Sequence, residues 1–381
     1  MNVKTGKGHR PRLLVIGLGI VRTSGNRSCT RAAIAEYLSE IARYGDVTWM
    51  TIADHSDDGL NIPLPPEIRV EIVGARNPFA NAVRMWRTGP HDAIIAAYPM
   101  ALRIWPWLVC GNTRKTLFYI GNDITQKPRS WNSVRDMLLW HYRACIARFL
   151  ARRSGVVMAR GKRLASIMRR SNAQTFETPP IGMTMASNPP GDTQNTRPFL
   201  LYVGKLIPEK GLGLLLDAYR DTRWPGEKPR LKIIGTGLMA DLVKERAAAD
   251  PCIDPVGYIN DPGLLARHFC SASALIAPTL AEWEGVPRVL SEARQFGTPV
   301  WVAALPAIRE EFADDVHYLD TPVTARGLSG MMADIPLFQG HRHGHTTGAT
   351  MAALQHLQTL GLNLDADKGS AGNDGASAPP L

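Results

Sequence analysis

The chain of 381 residues is 45% hydrophobic and 20% charged, the balance of a globular protein with a sizeable core, and it is longer than one core ordinarily supports, so two domains are expected. Its longest apolar run, residues 13–21, is far shorter than the roughly 20 residues of a membrane-spanning helix. Five scattered cysteines (Cys29, Cys110, Cys145, Cys252, Cys270), with no Cys-x-x-Cys pair, suit a reducing cytoplasm and give no metal framework. The net charge of +10 is uneven. Residues 1–190 hold 27 Lys and Arg against 12 Asp and Glu, a surplus of 15, whereas residues 191–381 hold 17 against 22. A basic half joined to a mildly acidic one fits either solubility alone or an anionic partner: a membrane surface, a lipid phosphate or nucleic acid.

In chain order, the basic segment 1–12 before an apolar run resembles the charged start of a secretory leader. The polar stretch RTSGNRS (22–28) follows with no small-residue cleavage site, so residues 12–20 read as a buried parallel strand and 22–28 as a turn-rich loop. Residues 29–45 have helical apolar spacing and end on Gly45, read as the helix C-cap. Strands are predicted over 46–53, 68–75, 91–99 and 114–123, the last running into a polar turn at Gly121, Asn122 and Asp123. Residues 131–153 form a long helix rich in Arg and large apolar side chains. It reads as an interfacial helix on anionic lipid, or as an ordinary amphipathic helix with Arg on its wet face. Residues 155–170 repeat the strand-then-helix pattern.

The pattern sets domain boundaries: a first domain over 1–185, a Pro-rich polar linker over 186–197, a second domain over 198–345, a helix over 346–362 and a low-complexity disordered tail over 363–381. The second domain restarts the alternation at 199–220, with further strands in 230–238, 255–260, 274–280 and 297–303. Strand–helix alternation in both halves implies an α/β fold with doubly wound sheets.

Chemistry concentrates at residues 282–293, EWEGVPRVLSEA, where Glu284 and Glu292 flank a Gly-Val-Pro turn. The strand before it ends in a loop, where open α/β sheets bind ligands. Pro287 suits the first position of the next helix, so Gly285, Val286 and the helix start aim free N–H groups at the crevice. Two carboxylates placed there can each accept paired hydrogen bonds from vicinal hydroxyls, one on a sugar and one on a ribose. Such acids near a helix start also occur on plain surface helices.

This spacing and context resemble the E-x7-E motif of retaining glycosyltransferases of family 4, which have the GT-B fold of two Rossmann-like domains facing across a cleft. LLYVGKLIPEKGLGLLLDA (200–218) is similar to that family's strand, Gly, basic residue, loop, Lys-Gly, helix segment. The resemblance implies that Lys205 and Lys210 bind the nucleotide diphosphate, that Glu284 holds the donor sugar and Glu292 the ribose. It also sets Gly204, Gly235, Gly237, Gly257 and Tyr258 around the nucleotide. The family commonly has Arg at the first basic position; Lys205 offers a point charge without Arg's fork. In the first half the resemblance is looser and reaches the glycine-containing loop at Gly25. Many relatives carry a His after the strand that matches LFYIG; here Asn122 and Asp123 stand there, and Asp123 either contacts the acceptor or caps a helix.

No strand is followed by an Asp-x-Asp motif, and the alternate histidines His341, His343 and His345 sit in a Gly-containing loop, so no metal and no cofactor are expected. The resemblance implies a cytoplasmic transferase acting on a nucleotide-sugar donor with retention, either with no side-chain nucleophile or through a covalent intermediate on a protein carboxylate. Its acceptor would be a saccharide or lipid-linked acceptor in surface polysaccharide assembly, at the inner face of the membrane. The competing readings are a nucleotide-sugar epimerase of the same fold and a non-catalytic sugar-nucleotide or glycan-binding protein. No nucleic-acid module accompanies the basic charge.

Overall fold

The computed structural model describes residues 10–24, 27–54, 62–73, 77–122, 124, 134–178, 181–182, 184–185, 197–281, 284–320, 322–338, 340, 342 and 349–361. The expected linker and tail, Gly25, Asp123 and the alternate histidines lie outside the described residues.

Among the described residues the first half holds nine strands: β1 (Arg12–Ser24), β2 (Arg27–Thr30), β3 (Asp46–Ala53), β4 (Ile62–Pro63), β5 (Arg69–Ile72), β6 (Ala93–Ala97), β7 (Thr116–Ile120), β8 (Val156–Arg160) and β9 (Thr175–Thr178). Seven of them form a parallel sheet in the order β5-β3-β1-β6-β7-β8-β9. The apolar runs of the inner strands β1, β6, β7 and β8 are buried on both faces, as parallel strands between helix layers must be. The second half repeats the plan with β10 (Phe199–Val203), β11 (Arg230–Ile234), β12 (Ile253–Gly257), β13 (Ala274–Ala277), β14 (Val300–Ala303) and β15 (His317–Leu319), parallel in the order β12-β11-β10-β13-β14-β15. In each sheet the order reverses beside the first central strand, which opens a crevice at the carboxyl ends.

Three local readings change. The stretch 22–28 is not a free loop: β1 runs on to Ser24 and pairs antiparallel with β2, which pairs with β4. The parallel register of β1 shifts between Ile16 and Ile20, where Gly17 and Leu18 have φ of 79° and 68°. There the Trp49 indole N–H donates to the Gly17 carbonyl at 2.8 Å, restoring a partner that the ladder loses. Gly45 is not the cap. The helix Ala32–Ala42 is capped at Arg43, and Gly45 is required because a Cβ there would sit 2.5 Å from the Pro11 carbonyl oxygen. Pro287 is the N-cap of its helix, with extended ψ of 131°, one place earlier than expected.

The long helix is Val134–Arg153. It packs Ala144, Ala147, Leu150 and Ala151 inward, yet Val134, Leu138, Tyr142 and Phe149 are exposed alongside its arginines. The C-terminal helix Ala349–Thr359 returns to the first half. Ala352, Ala353, Leu357 and Leu360 share a core with Tyr37, Leu38 and Ile41. Its buried His356 joins the Tyr37 hydroxyl at 2.6 Å and the Thr178 hydroxyl at 3.2 Å, and burial lowers its pKa to about 3.

Candidate active site

The crevice of the second sheet is shaped by glycines that only glycine can satisfy. After β10 the chain turns through residues 204–211 into the helix Leu212–Asp221, whose N-cap Gly211 has φ of 70°. A Cβ on Gly211 would meet the Pro278 carbonyl oxygen at 2.1 Å, so the loop lies flat on the end of β13. That helix start has no side-chain cap, which leaves its first N–H groups and positive dipole end free for an anion. Gly235 and Gly237 lie behind the same loop: a Cβ on either would strike the carbonyl oxygen of Gly204 or Leu206, at 1.9 and 2.6 Å. The Leu206 N–H donates to the Thr236 carbonyl at 2.9 Å, and the Tyr202 hydroxyl donates to the Lys205 carbonyl at 3.0 Å. These contacts fix the backbone that carries Lys205, which is exposed, and Lys210.

Lys210 and Glu284 form an ion pair, each about one-sixth exposed at 17% and 18%. Leu280 N–H donates to the Glu209 carbonyl at 2.8 Å, tying the two loops that hold the pair together. Glu284 also meets the first domain, because its backbone forms an antiparallel bridge with Asn122. The seam is tight around it. A Cβ on Gly285 would lie 2.9 Å from the Gly121 carbonyl oxygen, and the buried Val286 packs its methyl within 2.8 Å of the Cβ position of Gly161.

Glu292 sits elsewhere than beside that pair. It is 8% exposed, its Oε1 is 3.2 Å from Arg288 Nε, and the same oxygen lies 3.1 Å from the Cβ position of Gly182. Burial raises its pKa, against the pull of the Arg288 guanidinium. Arg288 also donates to the Ile181 carbonyl at 3.1 Å. Tyr258 is half-buried at the seam, with the guanidinium of Arg31, from the first domain, 5.7 Å over its ring. Gly257 accepts from the Gly235 N–H at 2.9 Å.

One cleft residue was not picked out from the sequence. Arg160 ends β8, and its guanidinium carbon lies 3.5 Å from the Cβ position of Gly121, with an Nη 3.8 Å from that of Gly285. Its buried Nε has no hydrogen-bond partner among the described residues. The signal available was an Arg-Gly pair at the carboxyl end of a parallel strand.

Residues 197–328 match the family model of the glycosyl transferases group 1. A D-inositol 3-phosphate glycosyltransferase from Frankia alni is 30% identical over 158 residues, which span 36% of this chain and 38% of the relative's length. Among solved structures, the sucrose-phosphate synthase of Thermosynechococcus elongatus superposes with a TM-score of 0.62 at 17% identity, covering 92% of this chain and 95% of that one. HepE of Anabaena, crystallised with UDP, superposes with a TM-score of 0.56 at 15% identity, covering 92% and 96%. The fold is that of the two-domain GT-B proteins, with two Rossmann-like sheets across a cleft.

Proposed function

We propose that this protein is a glycosyltransferase that moves a sugar from a nucleotide-diphospho-sugar to an acceptor with retention at the anomeric carbon. The observation that carries the reading is the Lys210–Glu284 pair beside an uncapped helix start, within the segment that matches the transferase family. A donor exchanges that internal pair for two external contacts: a phosphate oxygen accepts from Lys210, and a sugar hydroxyl donates to Glu284. Lys205, Lys210 and the N–H groups near Gly211 and Gly285 then stabilise the charge that grows on the departing diphosphate. The bond from the anomeric carbon to the diphosphate breaks as the acceptor oxygen bonds to that carbon, and the acceptor proton passes to the leaving phosphate. Glu292 binds the ribose, and Arg160 faces the reacting groups from the first domain.

A lipid-linked saccharide, or a growing surface polysaccharide held at the inner face of a membrane, is the acceptor class. Val134, Leu138 and Tyr142 recur four residues apart on the outer face of their helix, continued by Phe149, with Arg135, Arg148, Arg152 and Arg153 nearby. Trp105 donates to the Tyr142 hydroxyl at 3.1 Å and meets Phe79 edge-on at 6.0 Å, which extends the apolar face to Phe79 and Trp86. An amphipathic face of this kind would rest on the lipid interface. Loss of sedimentation with anionic vesicles in Leu138→Glu is the expected result; unchanged sedimentation removes the membrane part of the reading.

The donor experiment is a thermal-shift screen of nucleotide sugars. UDP-glucose comes first, because HepE was crystallised with it. A shift with one donor that vanishes in Lys210→Ala supports the site. No shift with any donor overturns the transferase reading.

A further inference from the structure

Away from the cleft, a groove of about 590 Å³ runs between the helices Val134–Arg153 and Lys162–Arg169 of the first domain and ends on the helix Pro306–Phe312 of the second. Among the described residues, Arg148, Arg152, Arg163 and Arg170 line it, with Ser166 and a single acid, Glu310. Glu310 comes from the other domain and pairs with Arg163 at 2.5 Å. Among the described residues, Arg148, Arg152 and Arg170 have no carboxylate partner. One carboxylate among four guanidinium groups leaves a concave surface with strong positive potential, and such walls focus the field on an incoming anion. Guanidinium forks match phosphate oxygens in pairs, and the Ser166 hydroxyl adds a neutral donor.

We infer that this groove binds a phosphate-bearing anion, either a soluble phosphorylated compound or an anionic lipid headgroup, in competition with Glu310. The inference stands on the groove's own residues and does not depend on the donor reading of the cleft. Among the described residues, Glu310 is the only acid lining the groove, and it holds Arg163 across the domain seam. Its neighbour Glu311 accepts from the Lys162 N–H at 3.1 Å across the same seam. An anion that takes Arg163 therefore releases one of these two cross-domain contacts. By linkage, removing the Glu310 charge tightens the anion.

The test titrates inorganic pyrophosphate into wild-type protein by calorimetry and sediments the protein with phosphatidylglycerol or phosphatidylcholine vesicles. Lys210→Ala separates any binding at the cleft. The expected result is binding that survives Lys210→Ala and weakens roughly three- to tenfold in Arg148→Ala/Arg152→Ala, the scale for two solvent-exposed charge contacts. Glu310→Gln strengthens it several-fold. Pyrophosphate binding with this order of variants assigns a soluble compound; the same order seen only with phosphatidylglycerol vesicles assigns a lipid headgroup. Binding unchanged in the double variant, weaker binding in Glu310→Gln, or no binding of either probe overturns the inference. Glu310→Gln keeps shape and volume, so its sign can be read even where the double variant is less stable.

Discussion

The two parallel sheets share their strand order, the first with one strand more at its edge, yet they present their crevices differently. At the second sheet, backbone geometry does most of the shaping: Gly211, Gly235 and Gly237 each stand where a Cβ would collide with a carbonyl oxygen, and the charged pair Lys210–Glu284 is already formed. At the first sheet a long side chain does it: Arg160 ends β8, and its Nε has no hydrogen-bond partner among the described residues. The crevice of the second half is thus set by fixed backbone, whereas that of the first is set by a side chain that can lean. Preorganisation lowers the ordering cost of binding, so on the proposed function the tighter recognition is expected at the second half.

The largest expected effect tests that asymmetry. Lys210→Ala should lower kcat by about 10²–10³, the scale for losing one preorganised group at a developing charge. Arg160→Ala, which removes a group not held by partners, should cost about tenfold, or about 1.4 kcal/mol. Steady-state kinetics with one donor compares the two directly. Equal losses would mean that the first domain contributes as much to stabilising the departing charge as the second.

This asymmetry also explains what was legible in the sequence. Glycines in fixed loops leave a mark at fixed spacing, so the segment 200–218 and the turn at 284–287 could be placed from residue types alone. Gly235 and Gly237 were singled out for the nucleotide, while their visible work is to let the Gly204–Leu206 backbone approach. Arg160 was missed because spacing does not tell which way a single long side chain leans. The short strands β9 and β15, four and three residues long, were missed for a related reason: they border the sheets and carry no apolar run. The helix Val134–Arg153 misled in the opposite way, since an alanine-rich inner face hides its direction and leaves the large apolar residues outside.

A second comparison concerns what joins the halves. The helix Ala349–Thr359 belongs to the chain's last segment but completes the core of the first domain. Leu357, fully buried there, should cost about 2–5 kcal/mol when changed to Ala. Urea unfolding monitored by Trp fluorescence measures it, and a loss below about 1 kcal/mol would show that the helix is dispensable. The same helix gives the molecule a pH dependence. The unfolded chain takes up a proton at His356 near its ordinary value of 6.5, while the folded chain resists until about 3. Stability from this group is complete above about pH 6.5 and is lost progressively as pH falls toward 3. The difference in urea midpoint between neutral pH and about pH 5 should be smaller in His356→Gln than in wild type. Equal differences would mean that the helix undocks before the imidazole matters.

The smallest expected effect separates binding from stability at Glu292. Burial raises its pKa, so the folded protein keeps this proton to a higher pH than the unfolded chain does. A raised carboxylate contributes stability at low pH that is lost as pH rises through its folded value. Glu292→Gln removes that loss at nearly constant volume, and it gives up an i,i+4 pair with Arg288 worth about 0.3–0.5 kcal/mol. The melting temperature of the variant relative to wild type should therefore improve between about pH 5 and pH 8, with a net change within about 1 kcal/mol. Donor affinity should fall over the same range if Glu292 accepts from the ribose, because an amide accepts fewer hydrogen bonds than a carboxylate. A variant that melts lower by the same amount at both pH values, with unchanged donor affinity, would make Glu292 a partner of Arg288 and leave ribose recognition to other residues of the second domain.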